Sequence, residues 1–257
     1  MVASVAGFNL TPVKSTALHR PDRIDLRSAG TVGDRRFLCI RGDGTRVSGI
    51  SKAALIPIVA HHDAAAHRLS LAFPDGAVAA GDDRPRGPVI TVRLFDREIT
   101  VREIDPVLTT ALRERVADDT LTIARVEEPE YAGGAHRASI VGLASIADVG
   151  SRIVADDGLD PRRFRMLIEV DGLAPYEEDS WQSHRVRIGE AIVHVGTRMS
   201  RCIMTTLDPD TGFQDAPVLQ VLSTYRIEHG KPILGVSGDV ERGAEVAVGD
   251  RVELLAD

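Results

Sequence analysis

Only two cysteines, Cys39 and Cys202, occur in 257 residues. That is too few for a disulfide framework, and spacing alone does not pair them. A reducing compartment is the expectation. Aromatic residues make up 4% of the chain, which removes the base-stacking platforms of nucleic-acid binders. The formal charge of −7 points the same way, since a phosphate backbone is bound through positive charge. Lysine is scarce, limited to Lys14, Lys52 and Lys231, so nearly every cation is an arginine. No apolar run reaches the roughly 20 residues that cross a bilayer. The opening, Met1 to Leu10, is apolar but short and lacks a basic flank, so it reads as a strand and not as a signal peptide. No Gly-rich phosphate loop follows a first strand, which disfavours doubly wound nucleotide-binding folds. A cytoplasmic protein with neither nucleic-acid nor membrane partners is expected.

What is present is ordinary globular material, 43% hydrophobic and 27% charged, long enough for one large domain or two small ones. Short apolar-alternating runs bounded by turns dominate. Arg68-Leu69-Ser70-Leu71-Ala72-Phe73 alternates and meets the turn Pro74-Asp75-Gly76. Val89 to Phe95 and Glu98 to Val101 predict a hairpin across Asp96-Arg97, and Val186 to Ile188 with Ala191 to Val195 predict another across Gly189-Glu190. Gly81 to Pro88 reads as a polar loop. Asp105-Pro106 is a helix start, with Asp as N-cap and Pro at the first position, and Leu108, Ala111, Leu112 and Val116 give that helix one apolar stripe. Ser145 to Asp148 has capping-box spacing, with Asp in place of Glu. A further short helix is expected near Val218 to Tyr225. His61, His62 and His67 are not spaced as metal ligands, because neighbours on a strand face opposite sides. Cys39 lies in an apolar strand and reads as core.

The chemistry gathers at Ser200-Arg201-Cys202-Ile203-Met204-Thr205-Thr206-Leu207-Asp208-Pro209-Asp210-Thr211-Gly212. Arg198 and Arg201 lie close before the thiol, and nearby positive charge favours a thiolate. Thiolates are soft ligands, suited to soft metals and to redox chemistry. The cysteine is expected at a strand end, followed by a strand-like run and a rigid turn built by Asp208, Pro209 and Gly212.

This stretch resembles the signature of the MOSC family, the molybdenum cofactor sulfurase C-terminal domain proteins. It is most similar to the branch containing the amidoxime-reducing component and its bacterial relatives. The resemblance continues in Val13-Lys14-Ser15 after the first strand, in Gly33-Asp34-Arg35 before an apolar strand, and in the acidic Tyr176 to Trp181 stretch. It implies an α+β fold, mostly β, in which a MOSC β-barrel core packs with an N-terminal MOSC-type β-barrel domain and a few helices. The boundary falls near 125, giving 1–125 and 126–257.

The resemblance also implies a molybdenum cofactor, with Cys202 as catalytic residue and metal ligand. Lys14, Ser15, Arg35, Arg165, Ser200 and Arg201 are the implied partners of the anionic pterin. The implied reaction is reduction of a small N-hydroxylated or N-oxide compound. No second cofactor motif is present, so electrons are expected from a separate flavin, haem or iron–sulfur protein. Two departures stand out. Phe164-Arg165 continues as Met166-Leu167 where that branch has Pro-Asn, and Gly133-Gly134-Ala135-His136-Arg137 replaces an Asp-Thr-Ser run. His136 and Arg137, or the backbone N–H groups there, are the expected substitutes as anion donors. The alternative expectation is a sulfur or molybdenum-cofactor carrier without turnover.

Overall fold

The computed structural model describes residues 2–95, 97–127, 136–153 and 158–256. The fold is α+β and mostly β, with three α-helices among the described residues. One sheet runs in the order Ser4–Phe8, Ile168–Asp171, Ala138–Gly142, Lys231–Arg242, Ala191–Ser200, Arg185–Ile188, Val252–Leu254. Ser4–Phe8 then meets the far edge. The Val5 N–H donates to the Asp250 carbonyl at 2.8 Å, and the Val252 N–H donates to the Ala3 carbonyl at 2.9 Å. The first strand thereby sits on both seams and closes a barrel, which removes the unpaired edges an open sheet would expose. Neighbours are antiparallel except Ala138–Gly142 and Ile168–Asp171. A parallel pair needs a crossover, and the helix Leu143–Ser151 supplies it.

The barrel interior follows from alternation. Val186, Ile188, Val193 and Val195 point inward with Phe8, Ile168, Val170 and Trp181, each aliphatic contributing about 1.5–3 kcal/mol on burial. Polar groups tie the chain's start to this barrel. Buried Glu169 accepts from Asn9 Nδ2 at 2.7 Å and from Arg20 at 2.6 Å.

A five-stranded antiparallel sheet runs Arg46–Val47, Phe37–Arg41, Leu121–Val126, Arg97–Glu103, Arg86–Leu94, beside a meander of Val59–Asp63, Arg68–Ala72 and Val78–Asp82. The helix Pro106–Val116 packs Leu108, Leu112 and Val116 with Cys39, Leu69 and Leu71. Its start matches expectation: Asp105 accepts from the Val107 N–H at 3.0 Å, and Pro106 opens the helix. The helix Val218–Tyr225 also lies where it was expected.

Several elements differ from the sequence reading. Gly81 to Pro88 is mostly strand, because pairing runs on through Arg68 with Asp82 and Glu103 with Arg86. Pro88 is tolerated there because Arg86–Leu94 is an end strand of its sheet. Ser145 caps nothing. The helix begins at Leu143, and Ser145 Oγ instead donates to Glu178 at 2.8 Å. Glu178, distant in sequence, accepts from the Gly142 N–H at 3.2 Å and does the capping. After Cys202 the chain forms a short 3-10 turn, Ile203–Thr206, in place of an extended run. His62 and His67 converge on one buried carboxylate, Asp83, at 2.7 and 3.1 Å, with Arg125 at 3.1 Å. No group of three or more His, Cys, Asp or Glu among the described residues is placed to hold a metal ion.

We propose the division into residues 1–125 and 126–257, with the strands before residue 32 crossing it. Ser4–Phe8 joins the barrel, and Arg23–Arg27 pairs with Ala244–Ala247. Residues 126–257 produced alone should therefore lack a stave and expose apolar seams. We expect them to aggregate or to show no cooperative thermal transition by circular dichroism. A soluble monomer melting cooperatively would show that the first strand is dispensable.

Candidate functional site

The site is assembled where two early segments zip together. The Arg35 N–H donates to the Thr11 carbonyl at 2.6 Å, the Phe37 N–H to Pro12 at 2.9 Å, and the Lys14 N–H to Phe37 at 2.8 Å. Buried Asp34 accepts from the Thr11 N–H at 2.9 Å and pairs with the Arg35 guanidinium. Between them the chain turns sharply, with Thr11 and Thr16 hydroxyls 2.6 Å apart.

From the second half comes the 3-10 turn Pro161–Phe164, opened by Asp160 accepting from the Arg162 N–H at 2.8 Å. Arg165 ends it in the left-handed region. Its guanidinium donates to the Thr16 carbonyl at 2.7 Å, and its own carbonyl accepts from Arg35 at 3.2 Å. Ser15, Arg35 and Arg165 have φ of 77°, 47° and 52°. Each such backbone costs on the order of 1–3 kcal/mol and persists only where its surroundings hold it.

Cys202 lies just past the strand Ala191–Ser200, extended and exposed. Its carbonyl accepts from the Thr205 N–H at 3.1 Å and from Thr205 Oγ1 at 3.0 Å. The following turn is fastened at both ends. Arg162 forks onto Asp210 at 2.7 Å, and Arg163 onto Asp215 at 2.6 Å. Gly212, at φ +76°, approaches the Ala53 carbonyl so closely that a Cβ would sit 2.6 Å from its oxygen. Only glycine allows that contact.

The electrostatics are one-sided. Arg201 is held by the Phe164 carbonyl at 2.7 Å and by Met166 Sδ at 3.1 Å, while its buried Nε has no hydrogen-bond partner among the described residues. Burial pushes Arg201 down to about 10, partly opposed by Cys202. Burial, with Arg35 alongside, pushes Arg165 down to about 9. Lys14 falls well below the usual lysine range through burial and through Arg35, Arg46 and Arg165. Arg46 is also lowered by burial, with Cys202 working against that. Among the described residues, Lys14, Arg46, Arg165 and Arg201 have no carboxylate partner. A crowd of cations in a low-dielectric cleft is unfavourable until an anion enters it.

Lys14, Ser15, Arg35, Arg165, Arg201 and Cys202 are thus brought together, with Ser200 exposed at the strand end beside them. Arg198 is not the second cation beside the thiol. It turns to Glu228 at 3.5 Å and Asp179 at 4.0 Å, and Arg46 takes the place expected for it. His136 packs against Gly196 and meets Asp239 at 3.3 Å, about 13 Å along the strand from Ser200 at ~3.3 Å per residue. Arg137 follows it into Ala138–Gly142. Gly133 to Ala135 lie outside the described residues. Two site residues escape sequence reasoning, Arg46 and Phe95. The Phe95 ring centroid is 5.0 Å from Lys14 Nζ and 4.9 Å from Arg46 Cζ. A phenylalanine at a polar hairpin turn is the one hint the sequence carries.

Residues 128–253 match the MOSC domain. The chain carries a MOSC domain. It is 31% identical over 153 residues to mitochondrial amidoxime-reducing component 1 of Mus musculus, covering 56% of this chain and 44% of that protein. Against the Homo sapiens protein of that name it is 35% identical over 125 residues, covering 45% and 36%. Against molybdenum cofactor sulfurase of Oryza sativa subsp. japonica it is 32% identical over 106 residues, covering 38% and 13%. The matches span less than half the length of these curated relatives. The YUAD protein of Bacillus subtilis superposes with a TM-score of 0.47 at 13% identity, over 99% of this chain and 96% of that one. The MOSC match begins just after Leu121–Val126 and takes in every barrel strand except the first. No helix among the described residues is long and apolar enough to cross a membrane.

The two thiols of this MOSC-domain protein should react oppositely. Cys39 is fully buried, and burial pushes its thiol up to about 12. In folded protein, iodoacetamide should label Cys202 and leave Cys39 unmodified by peptide mass mapping, and labelling of Cys39 at a similar rate would contradict its core placement. A second expectation concerns Lys14. Its charge is lost as pH rises through a depressed pKa, and a bound anion restores it. Phosphate affinity should fall with rising pH, with proton uptake visible in calorimetry across buffers of different ionisation enthalpy. Absence of uptake in wild type, or equal uptake in Lys14→Met, would remove Lys14 from the anion site.

Proposed function

We propose that this protein binds a molybdenum cofactor and reduces small N-hydroxylated or N-oxide compounds. One observation carries the reading: an exposed thiol beside half-buried cations that lack carboxylate partners among the described residues. The residues fit an anionic pterin carrying a soft metal. A single cysteine is one soft donor, so the other metal ligands must belong to the cofactor. Arginine forks suit phosphate oxygens, and the buried Arg201 Nε–H is a donor still to be matched.

Cys202 would hold the metal. Lys14, Arg35, Arg165 and Arg201 would hold the anionic cofactor, with Ser15 and Ser200 as hydrogen-bond partners. His136 and Arg137 stand apart from this group and have at most an outlying role toward the cofactor. When bound, the cofactor would supply a two-electron redox centre for cleaving an N–O bond. The balance is simple. An N-hydroxylated compound takes up two electrons and two protons, its N–O bond breaks, and the reduced nitrogen compound and water leave. The electrons would come from a separate flavin, haem or iron–sulfur protein. The relatives named amidoxime-reducing component support this reading over the rest of the MOSC repertoire.

In protein produced with cofactor supply, Cys202→Ser should fold but lose turnover, and Lys14→Ala should lose most of its pterin. Because the Lys14 amine has no hydrogen-bond partner among the described residues and is repelled by Arg35, Arg46 and Arg165, the ligand-free Lys14→Ala protein should melt no lower than wild type. Molybdenum analysis, fluorescence of released pterin and thermal melts read these outcomes. Loaded, chemically reduced protein should be re-oxidised repeatedly by a hydroxylamine, amidoxime or N-oxide. A cyanide-labile sulfur on Cys202 without such cycling would identify a sulfur or cofactor carrier instead.

A further inference from the structure

Arg46 and Phe95 remain without a role in cofactor binding. Arg46 belongs to the short strand Arg46–Val47, and the chain leaving it runs against the turn after Cys202. A Cβ on Gly49 would lie 2.9 Å from Met204 Cε, which puts the segment carrying Arg46 beside the segment carrying the thiol. The Arg46 guanidinium has no hydrogen bond or ion pair among the described residues. What it has is the face of Phe95, 4.9 Å away. Phe95 is itself 55% exposed and held at φ 59°, a backbone that bulky residues seldom adopt. An exposed aromatic ring presented on a strained turn, with two cations, Arg46 and Lys14, against it and an exposed thiol nearby, is a recognition element more than a packing one.

The surroundings set its selectivity. An open groove leads to this pair, lined by Arg46, Phe95, Thr91 and Arg93, with Asp43 and Glu98 also along it. Neither carboxylate bonds Arg46, and Asp43 is engaged by the Thr45 N–H at 2.8 Å. Arg46 lies on the wall of this groove, whereas Lys14 and Arg165 are not part of its lining. A cationic ligand arriving along the groove would meet Arg46 and Lys14 and be repelled. A neutral flat ligand would gain only the ring.

We propose that Arg46 and Phe95 form a substrate subsite that selects flat compounds bearing an anionic group, with the anion on Arg46 and the flat face on Phe95. The word substrate rests on the reductase reading above; the binding preference does not. A carboxylate on a guanidinium is a charge-assisted pair. Its net worth corresponds to about tenfold or more in affinity over the matching amide.

The test uses cofactor-loaded protein and two probes of one shape, 4-nitrobenzoate and 4-nitrobenzamide, with affinities by calorimetry. Wild type should bind the benzoate about tenfold more tightly. Arg46→Gln should bring that ratio close to one, and Phe95→Leu should weaken both probes several-fold while keeping the ratio. Circular dichroism melts check that each variant folds. Equal affinities in wild type, or a preference that survives Arg46→Gln, would overturn the subsite. So would a preference abolished by Lys14→Gln but not by Arg46→Gln, which would place the carboxylate among the deeper cations. Since no turnover is needed, failure of every N-oxygenated compound as substrate would count against the reductase reading alone.

Discussion

Arg165 donates to the carbonyl of Thr16 and accepts at its own carbonyl from Arg35. This reciprocal contact joins the two halves of the chain at a place where both carry positive charge. Two guanidinium groups side by side repel, so the contact exists only because backbone oxygens stand between them and absorb part of the field. Remove either carbonyl partner and the cations would separate. Everything that makes the cleft a site follows from this forced proximity: Lys14 holds its proton less tightly than an ordinary lysine, Arg201 has a buried donor unmatched among the described residues, and three non-glycine residues are held at positive φ.

The stored cost is met elsewhere in the fold. The barrel closed by Ser4–Phe8 delivers the segment 9–16 to the mouth of the cleft. Glu169, held by Asn9 and Arg20, anchors that segment to the neighbouring strand. On the other side, the double forks of Arg162 and Arg163 onto Asp210 and Asp215 lock the turn after Cys202 to the 3-10 turn that carries Arg165. The acidic residues of the cysteine motif are thus spent on neighbouring arginines. Their field is cancelled locally, and the cations of the cleft stay uncompensated. This division of charge lets a protein of net charge −7 offer a strongly cationic pocket.

The thiols show how environment sorts identical groups. Cys39 sits in a strand packed on both faces, where ionisation would require a charge in an apolar core. Cys202 is exposed at a strand end, between cations and free to bind. The histidines make a similar point. His62, on the strand Val59–Asp63, and His67, in the turn that follows it, are drawn to one carboxylate that Arg125 also holds. A cluster that looks like metal ligands is a neutralised buried Asp83.

Much was legible in the residue order because it depends on local chemistry. Asp105-Pro106 starts a helix wherever it is placed, alternating runs make strands, and the ordered motif from Ser200 to Gly212 carries its resemblance in its own residues. What failed locally failed for a tertiary reason. Ser145 has cap spacing, yet Glu178 took the Gly142 N–H and the Ser145 hydroxyl because a buried carboxylate needs donors. Gly81 to Pro88 has loop composition, yet neighbouring strands continued the ladder through it. Arg198 stands four residues before the cysteine, but its side chain goes to Asp179 and Glu228, and Arg46, more than 150 positions upstream, is the cation that interacts with the thiol instead. The sequence by itself determined which groups could do chemistry, since reactivity belongs to residue types and short motifs. Only the tertiary structure decided which of the many arginines lose their counter-charges, because burial and the distance to a carboxylate are properties of the packed chain.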